Sequence, residues 1–406
     1  MGQSHINFIG NVADTLREDG HNVTLLIVEF DPDFKTSTGT RLVENIIRYS
    51  SPYHNSADWR TLTFKQGVVF NSIFGLNFID LTKMQIYAYR VCKGFILANI
   101  YEYFEQSLFE SKFPGFKNLH GLIKEKTDYM LMNTNEFTES TRPTLRSIQY
   151  VGGSATRDPQ PLNEEFEWIV SRGSKGAILF SLGSLVKPSD MPVAVRKAFM
   201  DAFRTFTDYV ILWKDDTQLN SSYPNIYFRD WVPQVDLLAD GRVKLFITHG
   251  GMNSMQESLL FGVPMITVPL FADQDSNAAV AAERGFSVNL SKFAVTKEKV
   301  VDAINEVLGK DGEESAYTQK VRQAARLLKG SPQEMRRTIK RLARISGTEP
   351  PLKHLKLDID HLNNFQYYNI DIYLLLLSIV LVHLWICASL SMQMAEFFTA
   401  LKKKTD

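Results

Sequence analysis

The amino-acid sequence predicts an α/β protein with one membrane-spanning helix near its C-terminus. In the second half of the chain, short apolar runs alternate with longer helical patterns, which is typical of a parallel sheet covered by helices on both faces. The start of the chain shows half of the same repeat, because a helical pattern ends at Gly20 and an apolar strand follows at Val23–Phe30. The third observation is the apolar run Ile372–Met392, whose length of roughly 20 residues suits a bilayer.

The composition excludes several classes of protein. The 406 residues leave room for two or three domains. Because 45 basic residues balance 45 acidic ones, the chain lacks the positive charge that attracts nucleic acid, and no nucleic-acid partner is expected. Cys92 and Cys387 cannot form a disulfide framework, and no Cys/His cluster has zinc spacing, so no metal site is predicted.

Apolar periodicity predicts the individual elements. Apolar residues at helical spacing up to Leu16 predict the first helix, and Tyr129–Asn133 predicts a short strand, whereas residues 36–126 contain no run typical of a parallel strand. The predicted strands of the second half are Ala177–Leu182, Val210–Trp213, Ile226–Phe228, Lys244–Thr248 and Met265–Val268. The predicted helices are Met191–Thr205, Met252–Phe261, Asp275–Arg284, Thr296–Gly309, Ser315–Leu328 and Gln333–Ile345.

A glycine turn between a predicted strand and a predicted helix, in the segment FITHGGMNS, offers a site for phosphate. Gly250 and Gly251 allow a ligand to approach the backbone, and the helix start offers unpaired N–H groups with about half a positive charge. His249 adds a donor, either when protonated or from one nitrogen. The alternative is a capping box, Ser254-x-x-Glu257, with His249 as an ordinary turn residue.

Polar and aromatic residues flank this turn at the neighbouring strand ends. Trp231 and Gln234 precede it, and Asp273 and Gln274 follow the next predicted strand. Ligands in open parallel sheets bind at the carboxyl ends of the strands. A ring that can stack on a base, a diphosphate turn and an acid that can bind hydroxyls therefore occur in the order that a nucleotide sugar requires.

The run W-x-x-Q…THGG-x-N-S-x-x-E…P…P-x-x-x-D-Q, from Trp231 to Gln274, resembles the UDP-glycosyltransferase family, in particular its animal microsomal, nematode-like glucuronosyl- and glucosyltransferases. The resemblance implies a GT-B-like fold with two Rossmann-type doubly wound domains, the N-terminal one incomplete, plus one C-terminal transmembrane helix. The implied segments are a truncated acceptor-binding domain at 1–150, a UDP-sugar donor-binding domain at 151–345, a linker back across the acceptor domain at 346–369, the transmembrane helix at 370–392 and a cytosolic lysine tail at 393–406.

The resemblance also implies a donor site without a permanently bound cofactor, because UDP-glucuronate or UDP-glucose is a co-substrate. Its residues are Ser184, Trp213, Trp231, Gln234, His249, Gly251, Asn253, Ser254, Glu257, Asp273 and Gln274. In the family, the residues that match Trp231 and Gln234 hold uracil, and the one that matches Glu257 holds the ribose. The diphosphate is held by the residues that match His249, Gly251, Asn253 and Ser254, and the sugar by those that match Asp273 and Gln274. Two assignments have alternatives: Trp213 as a core ring and Ser184 as a strand-end cap.

The family's reaction implies a catalytic histidine. By similarity of the stretch QSHINF to G-x-S-H-x-x-F, that base is His5, which takes the proton of an acceptor hydroxyl while the sugar is transferred with inversion. The chain lacks a match to the family's leader, first acceptor-domain strand and buried aspartate. Asp80, Glu102 and Glu105 have no motif support for that role. We therefore expect UDP binding with little or no transfer.

Two functions remain open at this stage. The first is a membrane-anchored transferase that moves glucose or glucuronic acid to small lipophilic hydroxyl compounds. The second is a catalytically impaired UDP-binding protein that modulates active relatives. Homo- or hetero-oligomers with related transferases are compatible with both. A Rossmann oxidoreductase is disfavoured, because no G-x-G-x-x-G follows a strand.

The location depends on features at both ends of the chain. Lys402, Lys403 and Lys404 favour a cytosolic tail, and the final KKTD resembles an endoplasmic-reticulum retention tail, although three lysines are equally typical of a topological anchor. The opening residues have no secretory leader pattern, which taken literally leaves the domains cytosolic. The family instead faces the lumen of the endoplasmic reticulum, where the sequons at Asn22, Asn220 and Asn289 would be usable.

The predicted helix Gln333–Ile345 is amphipathic and basic. Its charged residues are typical of a solvated helix face. By position it also resembles the family segment that crosses from the donor domain back to the acceptor domain.

Overall fold

The computed structural model describes most of the chain. The described residues are 3–29, 37–50, 125–141, 144–184, 188–217, 223–309, 314–349, 352–355, 363–367 and 370–405, with 114, 115, 118, 121 and 186 as isolated positions. They belong to two compact units, Met1–Pro351 and Leu352–Asp406. The expectations for Cys92, Asp80, Glu102, Glu105 and the sequon at Asn220 lie outside the described residues.

In the N-terminal part of the first unit, the described residues form one long helix and two short parallel strand pairs. Its elements are α1 (Gln3–Glu18), β1 (Thr24–Glu29), β2 (Asn45–Ser50), β3 (Met130–Met132) and β4 (Ile148–Tyr150). Strand β1 pairs with β2, and β3 pairs with β4. The helix and β1 lie where periodicity predicts them, whereas β2 lies in a region for which no strand is predicted, so that prediction was wrong. Its six residues, NIIRYS, carry a charge and lack a continuous apolar run.

A six-stranded parallel sheet forms the second part of the first unit. Its strands are β5 (Gly176–Ser181), β6 (Tyr209–Lys214), β7 (Ile226–Arg229), β8 (Val243–Thr248), β9 (Met265–Thr267) and β10 (Ser287–Asn289). They lie in the order β10-β9-β8-β5-β6-β7, and all neighbours run parallel. The chain moves outward from β5, returns to the centre at β8 and moves outward in the other direction. The carboxyl ends of β5 and β8 therefore flank the switch point where this topology binds ligands.

Helices cover both faces of this sheet. They are α2 (Glu164–Ser171), α3 (Val193–Phe203), α4 (Gln234–Ala239), α5 (Met252–Phe261), α6 (Gln274–Glu283), α7 (Lys297–Leu308) and α8 (Ala316–Leu328). Helices α3 and α7 pack on one face and α2, α4, α5, α6 and α8 on the other, because alternate strand residues belong to two separate buried clusters. All six side chains of β5 are buried, as expected for a central strand covered on both sides.

The next helix, α9 (Ser331–Thr348), packs along the N-terminal part. Arg336 donates to the carbonyl oxygens of Ser154 and Thr156 at 3.1 and 3.2 Å. Further along, Lys340 pairs with Glu18 at 3.1 Å and Arg344 pairs with Asp19. The basic face of this helix is therefore engaged with α1 and with the turn after β4, and the description as a merely solvated face does not fit it.

The second unit contains the apolar segment. A 3₁₀ turn (Lys353–Leu355) and α10 (Asn364–Tyr367) precede α11 (Ile370–Thr405). Within α11, the stretch Ile370–Gln393 is long and apolar enough to cross a membrane, with a mean hydropathy of 2.3 and side chains that are not buried in the unit.

Candidate functional site

The ends of the two central strands form the floor of the site. After β5 the chain reaches Gly183, whose φ of 83° favours glycine. A Cβ at this position would lie 2.7 Å from Cε1 of His249, which follows β8. The missing side chain therefore leaves room for the imidazole at the switch point. Ser184 is exposed beside it, at the strand end where the donor-pocket motif predicts it.

The glycine turn leads directly into helix α5. Gly250 adopts a φ of 82°, and Gly251 is the N-cap residue, with no side chain accepting a hydrogen bond from the first turn. The predicted alternative, a capping box in which Ser254 starts the helix, is wrong, because the helix begins at Met252 and Ser254 lies inside its first turn. The first N–H groups of a helix have no partner within the helix, so a helix start of this kind favours an anion.

His249 is neutral in this environment. Its pKa is lowered to about 4, chiefly by burial; the Asp273 carboxylate opposes this shift and the Lys214 cation adds to it. Its Nδ1 lies 3.4 Å from Oγ1 of Thr248. At neutral pH the imidazole can therefore donate one hydrogen bond to a ligand, but it cannot supply a full positive charge.

A hydrogen-bonded polar group lies on one side of the helix start. Nε2 of Gln234, the first residue of α4, donates to Oε2 of Glu257 at 2.7 Å and to Oγ of Ser254 at 3.2 Å. Burial raises the pKa of Glu257 to about 7, although the bond from Gln234 and the charge of Arg157 pull it down. This carboxyl group is poised between its acid and carboxylate forms near neutral pH.

Trp231 stands over the same side of the site. Its ring is 66% exposed, and Nζ of Lys214 lies 4.5 Å from the ring centroid. The same Nζ donates to the carbonyl oxygen of Gly183 at 2.9 Å, and burial lowers the pKa of Lys214. Lys214 covers part of one ring face, and the exposed remainder of the ring is suited to stacking on an aromatic ligand.

The loop after β9 presents the other predicted polar residues. Ala272 has a φ of 57°, which is strained for a residue with a Cβ. Asp273 is exposed at the start of α6. Gln274 is 4% exposed, and its Oε1 accepts from the N–H groups of Leu270 and Phe271 at 2.9 and 3.2 Å. Its oxygen is therefore committed to the loop, which leaves the amide nitrogen as the group that could contact a ligand.

Trp213 does not line the site. Its ring is 1% exposed and packs against phenylalanine rings, with centroid distances of 4.6 Å to Phe180 and 5.4 Å to Phe228. Trp213 is therefore a core ring, which is the alternative expected from the sequence, and it does not contact a ligand directly.

Helix α5 also contacts the N-terminal part. Oδ1 of Asn253 accepts from Nδ2 of Asn133 at 2.7 Å. One turn later, Nε2 of Gln256 donates to the carbonyl oxygen of Asn133 at 2.9 Å and its Oε1 accepts from the N–H of Gly153 at 2.6 Å. His5 is exposed on the first turn of α1, and its role as a base stays a prediction.

Three residues of the site were missed by sequence reasoning. Lys214 ends β6 directly after Trp213, a position at a strand end that could have been noticed. Asn277 contacts both Gly250 and Asp273, and its spacing of four residues from Asp273 was a usable signal. Lys292 is 6% exposed and donates to the carbonyl oxygen of Leu270, which no local pattern predicts. Among the described residues, no group of three or more His, Cys, Asp or Glu could hold a metal ion.

Comparison with known structures identifies the fold. The crystal structure of Os79 from O. sativa in complex with U2F and trichothecene matches with a TM-score of 0.55 and 13% sequence identity, covering 84% of this chain and 98% of that one. This likeness confirms the expected GT-B-like fold.

Comparison with known sequences identifies the family. The chain is 32% identical to UDP-glucuronosyltransferase 2B14 of Oryctolagus cuniculus over 253 residues, 61% of this chain and 46% of the relative. It is 29% identical to ugt-48 of Caenorhabditis elegans over 273 residues, 65% of this chain and 50% of the relative. The chain thus spans about half the length of the curated relatives it matches. A family model, UDP-glucoronosyl and UDP-glucosyl transferase, matches residues 77–405, and because this is most of the chain, the chain belongs to that family.

Proposed function

We propose that this protein binds a UDP-sugar and transfers its glucosyl or glucuronosyl group, with inversion, to a hydroxyl of a small lipophilic acceptor. The observation that carries the proposal is the switch-point crevice, where the uncapped start of α5 meets neutral His249 between two sets of polar side chains. Membership of the family supports the same reaction.

The uridine part of the donor would occupy the side of α4. The exposed Trp231 ring is free to stack on uracil, and Gln234 can hydrogen-bond the edge of the base. Glu257 lies beside Gln234 on the same side of the helix. Its carboxylate has two oxygens and can therefore accept one hydrogen bond from each ribose hydroxyl. In this structure Gln234 donates directly to Glu257. On binding, hydrogen bonds from the nucleoside to both residues would partly replace that bond.

The diphosphate would lie at the start of α5. Gly251, Asn253 and Ser254 lie at its N-terminal turn, where backbone N–H groups and the helix dipole favour negative charge. Neutral His249 and the exposed Ser184 hydroxyl add donors. The sugar would then reach the loop after β9, where the Asp273 carboxylate accepts from its hydroxyls and the Gln274 amide nitrogen donates.

The reaction needs a base and a stabilised leaving group. His5 would take the proton of the acceptor hydroxyl, whose oxygen forms a bond to the anomeric carbon while the bond from that carbon to the diphosphate oxygen breaks. The UDP that leaves carries the additional negative charge, and the N–H groups at the start of α5 together with His249 would stabilise it.

We also propose a location. Helix α11 would anchor the chain in a membrane through Ile370–Gln393, in the endoplasmic reticulum, with the first unit in the lumen and the lysine tail in the cytosol. The sequon residues Asn22 and Asn289 are exposed, so lumenal domains would present them to glycosylation.

The test separates binding from transfer. The full chain in detergent is titrated with UDP by calorimetry and then assayed for glycoside formation from UDP-glucose and UDP-glucuronate with a phenolic acceptor. Binding of UDP together with a glycoside product supports the proposal. Binding without product, with a full-length relative active in parallel, would favour the impaired UDP-binding protein, and no UDP binding at millimolar concentration would refute both.

A further inference from the structure

Asn277 lies between the two parts of the proposed donor site. Its side chain is buried, with 7% exposure, one helical turn after Asp273 on α6. Its Nδ2 donates to the carbonyl oxygen of Gly250 at 3.1 Å and to Oδ2 of Asp273 at 2.8 Å. Because an amide nitrogen has two hydrogens, both are used. One buried side chain thus joins the glycine turn to the exposed carboxylate.

The bond to Gly250 orients the peptide that begins α5. The carbonyl oxygen of Gly250 and the N–H of Gly251 belong to one planar trans peptide, so they point in opposite directions. When the carbonyl points at Asn277, the N–H of Gly251 points away from α6. Asn277 therefore fixes the orientation of this peptide, with the Gly251 N–H on the side away from α6.

The bond to Asp273 orients the carboxylate. Asp273 is an exposed residue that follows the strained Ala272, and an exposed aspartate samples several rotamers unless a partner selects one. The backbone also contributes, because the N–H of Asn277 donates to the carbonyl oxygen of Asp273 at 2.9 Å. The side-chain bond thus selects the carboxylate rotamer, and the backbone bond holds the two residues one helical turn apart.

We infer that Asn277 is a positioning residue of the donor site: it holds the Asp273 carboxylate in register with the Gly250–Gly251 peptide, so that the hydroxyls of a UDP-linked hexose are bound only when its diphosphate is seated. This inference rests on the proposed function, since it assumes that the crevice binds UDP and that Asp273 faces the sugar.

The experiment measures dissociation constants of UDP and UDP-glucose for the full chain in detergent. Asn277→Ala is expected to weaken UDP-glucose about tenfold, as for loss of a hydrogen bond to a charged group, and UDP by less than about threefold, since several other N–H groups at the helix start remain. Ser276→Ala, at the exposed neighbouring position on α6, is the matched control and should change neither affinity.

A double-mutant cycle with Asp273→Ala tests the route of the effect. If Asn277 acts on the sugar through Asp273, Asn277→Ala in the Asp273→Ala background should weaken UDP-glucose by no more than it weakens UDP. Retained UDP affinity shows that each variant is folded, and Asn277→Ser takes the place of Asn277→Ala if the latter does not fold.

The results separate this inference from the proposed function. Equal weakening of UDP and UDP-glucose, unchanged UDP-glucose affinity, or additive losses with Asp273→Ala would each overturn the role of Asn277 while leaving the UDP site intact. A parent chain that does not bind UDP would overturn the proposed function and this inference with it.

Discussion

The two parts of the first unit hold their strands in different ways. The six-stranded sheet is buried on both faces, with one large apolar cluster on each side. In the described N-terminal residues, the strands form two separate pairs, and the apolar cluster around α1 and β1 contains four buried residues: Ala13, Leu25, Ile27 and Val43. The sheet beneath the proposed donor site therefore has an apolar core of its own, whereas the described N-terminal elements also rely on contacts with loops, α5 and α9.

The largest expected effect lies in the core of the sheet. Trp213→Ala removes a fully buried ring from a cluster of aromatic residues and is expected to lower the free energy of unfolding by about 3–5 kcal/mol, measured by chemical denaturation. Ile27→Val, in the small N-terminal cluster, should cost only about 0.5–1.5 kcal/mol and leave UDP affinity unchanged.

Trp213→Phe distinguishes a core ring from a ligand contact, because it keeps an aromatic ring in the cluster. We expect this variant to fold and to bind UDP as the parent does. A folded Trp213→Phe protein with tenfold weaker UDP binding would restore the ligand role that the structure withdraws.

The next effect concerns the docking of α1. A Cβ at Gly10 would lie 2.1 Å from the backbone of Gly39, so Gly10→Ala must push the helix away from the loop before β2. We expect a loss of about 1–3 kcal/mol in unfolding free energy without a change in UDP affinity.

The control is Gly347→Ala in α9, because a Cβ at this position meets no atom within 4 Å. This substitution should raise the free energy of unfolding by about 0.4–1 kcal/mol. If Gly10→Ala also weakened UDP binding, the packing of α1 would influence the UDP site, contrary to this expectation.

A smaller effect should appear as a function of pH. With the pKa of Glu257 raised to about 7, the carboxylate fraction rises from about one tenth at pH 6 to about nine tenths at pH 8. If the ribose needs the carboxylate, UDP-glucose affinity rises about tenfold over this range. UDP-glucose is the suitable probe, because a free terminal phosphate would titrate near pH 6. Glu257→Gln should remove the dependence, and a pH profile that persists in this variant would assign it elsewhere.

The same shift affects stability with the opposite sign. The native protein holds the Glu257 proton more tightly than the unfolded chain does between the ordinary pKa of 4.5 and about 7. Its contribution to the free energy of unfolding is therefore present at low pH and is lost as pH rises through this window. The contribution is measured by chemical denaturation of Glu257→Gln and of the parent at pH 5 and at pH 8. The free energy of unfolding of the variant, relative to that of the parent, should be higher at pH 8 than at pH 5.

The smallest effect is expected where α9 meets α1. Arg344 pairs with the shielded carboxylate of Asp19, but its own side chain is 66% exposed. Arg344→Ala should therefore lower the unfolding free energy only slightly, because solvent screens an exposed pair. A double-mutant cycle with Asp19→Ala, repeated at high salt, measures the pair, and a coupling that salt does not reduce would contradict a solvent-screened contact.

The sequence predicted the sheet far better than the rest of the fold. Strands buried on both faces have continuous apolar runs, and α5 begins and ends at the predicted residues Met252 and Phe261 because a glycine turn and a glycine C-cap bound it. Helix α4 and strand β10 were missed because six and three residues are too few for a period to appear.

The site shows the same division. Gln234, Glu257 and Ser254 lie together where a linear motif placed them. The core position of Trp213 could not be predicted, because an apolar aromatic residue at a strand end is compatible with either face of the sheet. Asn277 and Lys292 act through contacts with backbone atoms distant in sequence, and local patterns carry no information on such partners.

Helix α5 carries two rows of polar side chains with different attachments. Ser254 and Glu257 bond to Gln234 within the donor part, while Asn253 and Gln256 bond to Asn133 and Gly153. A rotation of α5 about its axis that improved one of these two sets of hydrogen bonds would therefore weaken the other. The orientation of the first N–H groups of α5 therefore depends on side-chain contacts in both parts of the unit, and we expect a substitution at Asn133 to change that orientation.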